Sequence, residues 1–318
     1  MDFDDLPELS KPITKLIETV SNAMGVLFYP KKIKREANAD ARAISVISDA
    51  IRNNNDLDIS FEKNGIKINN LDNIDMIERS LQRRVFQDYI KEINIENVVS
   101  MAVERLKEEK VVSNEAVEMS WINMLLDSVS YVDNEELQKI WSQILVSEVI
   151  KPGQTSLRTL ETVKCLSPCE VRMFEKLSNY ILRIKDDVHD VYDYFILNDE
   201  RVFEQIGISI VDLLKLEDAG LIANSVNMFE EIIKNKNEKK EIYSGLNQVV
   251  ITINNNSNMT FRTEKRIFLL SEAGREVYET VYSDTVSTNI CSYYKLVESI
   301  IYEKNNQIIR NEIKDLKL

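Results

Sequence analysis

Histidine is almost missing from this chain: there is 1 in 318 residues, His189. A single imidazole, set in the polar run Lys185-Asp-Asp-Val-His189-Asp190, removes most Ser-His-Asp, Cys-His and zinc-histidine chemistry. It also removes the Glu-x-x-His pairs of di-metal carboxylate bundles, so Glu115, Glu118 and Glu148 do not read as metal ligands. Cysteine is scarce and odd in number, with Cys165, Cys169 and Cys291 the 3 present. That usage points to a reducing cytoplasm, and a zinc site would need two more ligands where only His189 is on offer. The thiols therefore read as buried or incidental. Glycine (7) and proline (5) are few, which argues against long disordered linkers and favours helices over sandwiches or barrels. No apolar run approaches the roughly 18 residues of a membrane span. The acidic start Met-Asp-Phe-Asp-Asp lacks the basic opening of a signal peptide. Basic excess is absent too: 40 Lys and Arg face 53 Asp and Glu, a net charge of -13 that repels nucleic-acid phosphates. There is no phosphate-cradling glycine loop, nucleophile elbow, four-cysteine set or supported carboxylate pair. No catalytic residue, cofactor or metal is expected; a non-enzyme is the favoured reading, with a metal-free hydrolase or nuclease left open behind it.

The most informative stretch runs from Asp133 to Leu177. Leu137, Ile140, Trp141, Ile144, Leu145 and Val149 lie on one helical stripe. Asp133 with Glu136 offers a capping box, and Pro152-Gly153 stops the helix. Thr155 to Cys165 predicts a short helix carrying Leu157, Leu160 and Val163. Ser167-Pro168-Cys169-Glu170 then opens another, with Val171, Phe174, Leu177, Ile181 and Ile184 on its apolar side. Arg158 has two readings. It could tie the helix through a salt bridge, for example to Glu148, or bind a phosphate or carboxylate. Trp141, Glu148, Ser156 and Arg158 are the candidate binding residues.

Upstream, Ser10 and Pro12 open a helix with Ile13, Leu16, Ile17 and Val20 inside. The apolar piece up to Pro30, followed by the basic cluster 31–35, reads either as a core helix, a break and a solvated helix over 33–50, or as a membrane- or partner-touching surface; the interrupting acids favour the first. Leu57, Ile59, Phe61, Ile66 and Ile68 alternate around Asn64-Gly65, which predicts a β-hairpin with its turn there. Helix returns over 72–110, capped by Asp72, with Arg79, Arg83 and Arg84 as a modest basic face and Asn97 as a candidate packing hydrogen bond. Residues 113–130, with Trp121, Met124, Leu125 and Val129, form another core helix.

Residues 178–282 read as a winged-helix-like module: a helix over 209–219 ended by Gly220, strands within 222–233, 249–253 and 266–270, and a helix from Ser271. Helix 209–219 carries Asp212, Glu217 and Asp218 against Lys215 alone, which disfavours DNA readout and favours a protein or dimer contact. A last long helix over 284–318, with Tyr293, Tyr294 and Val297 on its stripe, docks onto the body or pairs with a second copy.

The pattern Trp141-x2-Ile-Leu-x2-Glu148-x3-Pro152-Gly-x2-Ser156-x-Arg158-Thr-Leu160, then Leu166-Ser-x2-Glu170, resembles a bacterial family catalogued as a domain of unknown function. The flanking Asn94-Ile-Glu-Asn-Val98 and Leu213 to Ile222 fit it as well, and the pattern departs at Cys169. A more distant resemblance is to the abortive-infection alpha family, in which a helical region precedes a winged-helix-like end. Neither brings a catalytic residue. Together these readings give a mainly α (α+β) fold in five parts: N-terminal helices (1–56), a hairpin insert (57–70), a central helical core (71–177), the winged-helix-like module (178–282) and a C-terminal helix (283–318). The functional expectation is a non-enzymatic cytoplasmic bacterial interaction or regulatory protein, which the resemblance connects with phage defence. The partner is a protein or a second copy bound through the C-terminal helix. The alternative is a nucleic-acid-associated regulator.

Overall fold

The computed structural model describes residues 10–28, 30, 59–62, 65–68, 76–186, 191–223, 227–233, 239–244, 249–254, 261–282 and 290–302. His189, the basic cluster 31–35, the helix expected over 33–50 and the Asp72 cap lie outside them. The chain divides into two compact units, Met1–Pro152 and Gly153–Leu318, so the boundary falls within the 71–177 stretch.

The first unit is helical, apart from one hairpin. Helix α1 (Lys11–Met24) buries Ile13, Leu16, Ile17 and Val20 on one stripe and ends at Gly25, whose left-handed φ of 68° suits a residue without Cβ. Strands β1 (Ile59–Glu62) and β2 (Gly65–Ile68) form the expected hairpin. Glu62 pairs with Gly65, however, so Gly65 belongs to the strand and not to the turn. Helix α2 (Met76–Leu106) contributes Ile95, Val98, Val99, Ala102 and Leu106 to the core. Its buried packing asparagine is Asn94, which donates to the Ser130 carbonyl at 2.9 Å, while Asn97 is exposed. Helix α3 (Met119–Val129) buries Trp121, Ile122 and Leu125. Helix α4 (Glu135–Ile150) starts one residue later than its sequence suggests: Asn134 caps it by accepting from the Leu137 amide. Asn and Asp cap about equally well, so the register of the buried stripe decides between them. Lys15 closes the unit by donating to the carbonyls of Val149 (2.6 Å) and Ser113 (3.0 Å), a cation at the negative end of α4.

The second unit mixes helices with a six-stranded antiparallel sheet. Helix α5 (Leu157–Lys164) is capped by Ser156, and helix α6 (Pro168–Ser178) by the full Ser167–Glu170 capping box. The apolar spacing that suggests helix through Ile184 is broken at Ser178. Leu182 and Ile184 instead alternate along β3 (Leu182–Asp186), which pairs with β4 (Val191–Leu197). Then come α7 (Glu200–Ile206), α8 (Ile210–Asp218), β5 (Asn227–Ile233), β6 (Lys239–Ser244), β7 (Val249–Asn254) and β8 (Phe261–Leu269). They are followed by α9 (Glu272–Val277), a π-turn segment (Tyr278–Tyr282) and α10 (Ile290–Tyr302). Strand order is β5-β8-β4-β3-β6-β7, so β8 bonds both β4, before α7 and α8, and β5, after them. Helix α10 occupies the described part of the span expected, whose positions 284–289 and 303–318 lie outside the described residues, and Tyr293 is buried with its hydroxyl donating to the Tyr180 carbonyl at 2.7 Å. The architecture is thus helical with a sheet, an α+β fold.

A close backbone approach joins α9 to the end of α8. A Cβ on Gly274 would lie 1.9 Å from the Leu221 carbonyl oxygen. Ser271 donates its amide to that same oxygen at 3.1 Å and its hydroxyl to Gly220 O at 2.5 Å. Gly274→Ala is expected to cost about 3 kcal/mol or more, because backbone must move to admit the methyl. A thermal melt checks this, and an unchanged midpoint would show that α9 can slide away freely.

Candidate functional site

Helix α8, the helix singled out by sequence for its acidity, is built to stand in one orientation. Gly207, at φ 64°, turns the chain out of α7, and Ser209 caps α8. The Ser209 hydroxyl meets the Asp212 carboxylate at 2.7 Å and Ser209 Oγ accepts from the Asp212 amide at 3.2 Å, a reciprocal capping box. Leu213 and Leu216 are fully buried and anchor the inner face. Gly220, at φ 80°, ends the helix, and the Leu221 amide returns to the Leu216 carbonyl at 2.9 Å.

That anchoring leaves Ile210, Val211 and Leu214 outward, at 48%, 55% and 45% exposure. At a period of 3.6, these three cover one side of a short helix. Lys215 is the single cation of α8, and its ammonium sits 3.5 Å from Asp212. Glu217 and Asp218 lie in the last turn, where the negative helix end disfavours carboxylates. One Glu217 oxygen, Oε2, is buried without a hydrogen-bond donor among the described residues. The result is an apolar centre with an acidic end.

The four residues chosen from sequence are divided between the units, Trp141 and Glu148 in the first, Ser156 and Arg158 in the second. Trp141 is fully buried core, its indole nitrogen without an acceptor among the described residues. Glu148 is buried in the first unit, and its charge helps hold the proton on Lys15 against burial, which lowers that ammonium's pKa. Ser156 is a helix cap whose amide donates to Glu276 at 2.7 Å. Arg158 is 81% exposed, with Glu272 its facing acid at 3.9 Å. Arg79, Arg83 and Arg84 are exposed on α2. Among the described residues no group of three or more His, Cys, Asp or Glu side chains could hold a metal, and no helix is long and apolar enough to cross a membrane. Cys165 and Cys169 are exposed free thiols, not buried ones.

A second feature escaped the sequence. The Arg183 guanidinium lies 4.3 Å from the Tyr192 ring and 5.7 Å from that of Tyr243. Tyr194, paired across from Arg183, donates to Glu279 at 2.7 Å, and burial pushes its hydroxyl up to about 12. The alternation Arg183/Lys185 and Tyr192/Tyr194 was the available signal, hidden because that segment reads as the tail of a helix. In the first unit a cleft of about 550 Å³ lies between α1 and the loop before α3. Its two ammonium groups are already engaged, Lys11 with Asn114 and Lys15 with two carbonyls.

Residues 78–290 match the model of a family described as "Protein of unknown function (DUF2806)". The chain belongs to this family. No curated protein and no solved structure matches it. The DUF2806 region contains α8, the arginine–tyrosine cluster and all four residues chosen from sequence, while α1 and the hairpin precede it.

The Asp212 cap has a pH signature. Hydrogen bonds from the Ser209 hydroxyl and amide, then the Lys215 charge, hold its carboxyl below the usual range. A depressed folded pKa adds stability above the unfolded value of about 3.9 and loses it as pH falls through the folded value. The stability advantage of the wild type over Asp212→Asn should therefore shrink as pH drops below about 4. Denaturant midpoints across that range check it, and a constant difference would argue against a charged cap.

Proposed function

We propose that this DUF2806 protein acts without catalysis, as a cytoplasmic bacterial interaction protein whose contact surface is the outward face of α8. The observation that carries the reading is the exposed Ile210, Val211 and Leu214 triad on a helix with only one cation. Singly exposed apolar residues are ordinary, but a contiguous patch on a rigid element marks a contact site. We read the surrounding segment as winged-helix-like. Supporting this, β4 precedes α7 and α8, β5 and β8 follow them, and β8 lies between β4 and β5. In DNA readers of that class the corresponding helix meets phosphates with basic side chains. Here it offers apolar surface and carboxylates, which favours a protein over a duplex. The distant resemblance to the abortive-infection alpha family gives phage defence as the biological setting, testable by plaque counts on cells with and without the gene.

A photo-crosslinking residue at position 211 of the full chain, irradiated in cells, should yield protein adducts that disappear with Leu214→Ser. A labelled duplex should show no salt-sensitive binding at α8, whose one cation, Lys215, already faces Asp212. Salt-sensitive duplex binding, or nucleic-acid adducts at 211, would transfer the case to the rival reading of a nucleic-acid regulator.

A further inference from the structure

The charges around the apolar centre of α8 specify the chemistry of what covers it. Ile210 and Leu214 are four residues apart and form a short ridge, with Val211 beside it. Such a ridge seats between the side-chain rows of another helix. The ridge ends at Glu217 and Asp218, both at the negative end of α8. A cation brought there relieves the unfavourable dipole contact. Three of the protein's own cations around α8 are already engaged. Lys215 faces Asp212, Arg201 grips Asp199 through two nitrogens, and Lys176 donates to the Gly207 carbonyl. Among the described residues Asp218 and Glu204 have no cationic partner within ion-pair distance. The chain's charge of -13 adds a long-range pull on positive partners and a repulsion between copies.

From this geometry we infer that α8 docks a cationic amphipathic helix: one apolar stripe set against Ile210, Val211 and Leu214, flanked by Lys or Arg that reach Glu217 and Asp218. This rests on the contact reading above and names the partner class for that same face. A second copy of this chain fits less well, because its α8 would bring the same acids to the same place.

The test uses the full chain and two labelled synthetic helices of about 18 residues, long enough to be helical, that share one leucine stripe. One carries Lys on its polar side and the other Glu. At 0.15 M salt, roughly physiological, the Leu/Lys helix should bind at least about tenfold tighter than the Leu/Glu helix. Ile210→Ser with Leu214→Ser should weaken it by about tenfold, and so should Glu217→Gln with Asp218→Asn, the latter with reduced salt dependence. Both variants are checked for an unchanged thermal melt. Glu108→Gln with Glu109→Gln, an exposed pair of the first unit, controls for general attraction to an acidic protein and should leave binding intact. Equal binding of both helices, or equal loss in this control, overturns the inference. If crosslinks at 211 persist while the Leu/Lys helix fails to bind, the partner class is wrong and the contact reading stands. If both fail, both fall.

Discussion

The second unit depends on one close backbone contact: the first turn of α9 lies against the Leu221 carbonyl, at a spacing that only a glycine at 274 permits. Around this point several bonds converge. Ser271 donates its amide to Leu221 and its hydroxyl to Gly220, Ile222 bridges to Leu270, and the Ala223 amide reaches the Leu269 carbonyl. The turn that ends α8 is thereby stitched to the junction of β8 and α9. Because β8 also pairs with β4 and β5, the helices between those strands are held at both ends by one central strand. A helix fixed this way has no freedom to roll its apolar residues inward. Leu213 and Leu216 take the inner positions, and the side with Ile210, Val211 and Leu214 must face out.

This is why exposure on α8 carries more weight than exposure elsewhere. Val111 and Tyr131 are also exposed, on connecting segments, while Val85, Met119 and Leu157 stand one to a helix and make no such group of three. On α8 the backbone is set by a capping box at one end and a left-handed glycine at the other. The ordering entropy of the surface has been spent during folding, so an incoming partner meets a preorganised ridge and loses less on binding. A covered face of this kind contributes through burial at its centre and through charge at its rim.

Much of the fold could be read from local sequence because its signals are local. Ser167-Pro168-x-Glu170 and Ser209-x-x-Asp212 announce helix starts by hydrogen bonds made within a single turn, and both capping boxes form. Alternation in 57–69 announces a hairpin for the same reason, with only the position of Gly65 displaced. What could not be read depends on distant pairing. The apolar spacing through Ile181 and Ile184 satisfies a helix and a strand alike, and pairing with β4 and β6 decides for the strand. Trp141 and Glu148 attracted attention as chemically rich residues in a dense motif. Both are buried in the first unit, while Ser156 and Arg158, a few residues on, belong to the second. The motif therefore spans a structural boundary and marks packing and capping on either side. The acidity of helix 209–219 was legible, but its apolar outer side was not, because the sequence alone does not say which of five aliphatic residues turn inward.

The balance between a protein and a nucleic-acid partner turns on where the cations are spent. A phosphate-binding surface needs Lys and Arg whose side chains are free to exchange water and counterions for phosphate. In the second unit Arg183 is enclosed by Tyr192 and Tyr243, with Tyr194 at its edge. Withdrawing it would break the cation–aromatic contacts and leave Tyr194 facing Glu279 alone. Arg201 holds Asp199 ahead of α7, and Lys176 anchors the turn at Gly207 that sets the entry to α8. Each of these cations stabilises the unit that presents α8, and recruiting it to a ligand would loosen the surface it was meant to serve. Among the described residues the carboxylates of Glu217 and Asp218 pair with no cation. A surface whose positive groups are consumed by folding and whose negative groups remain at the edge of an apolar ridge selects partners that bring their own positive charge.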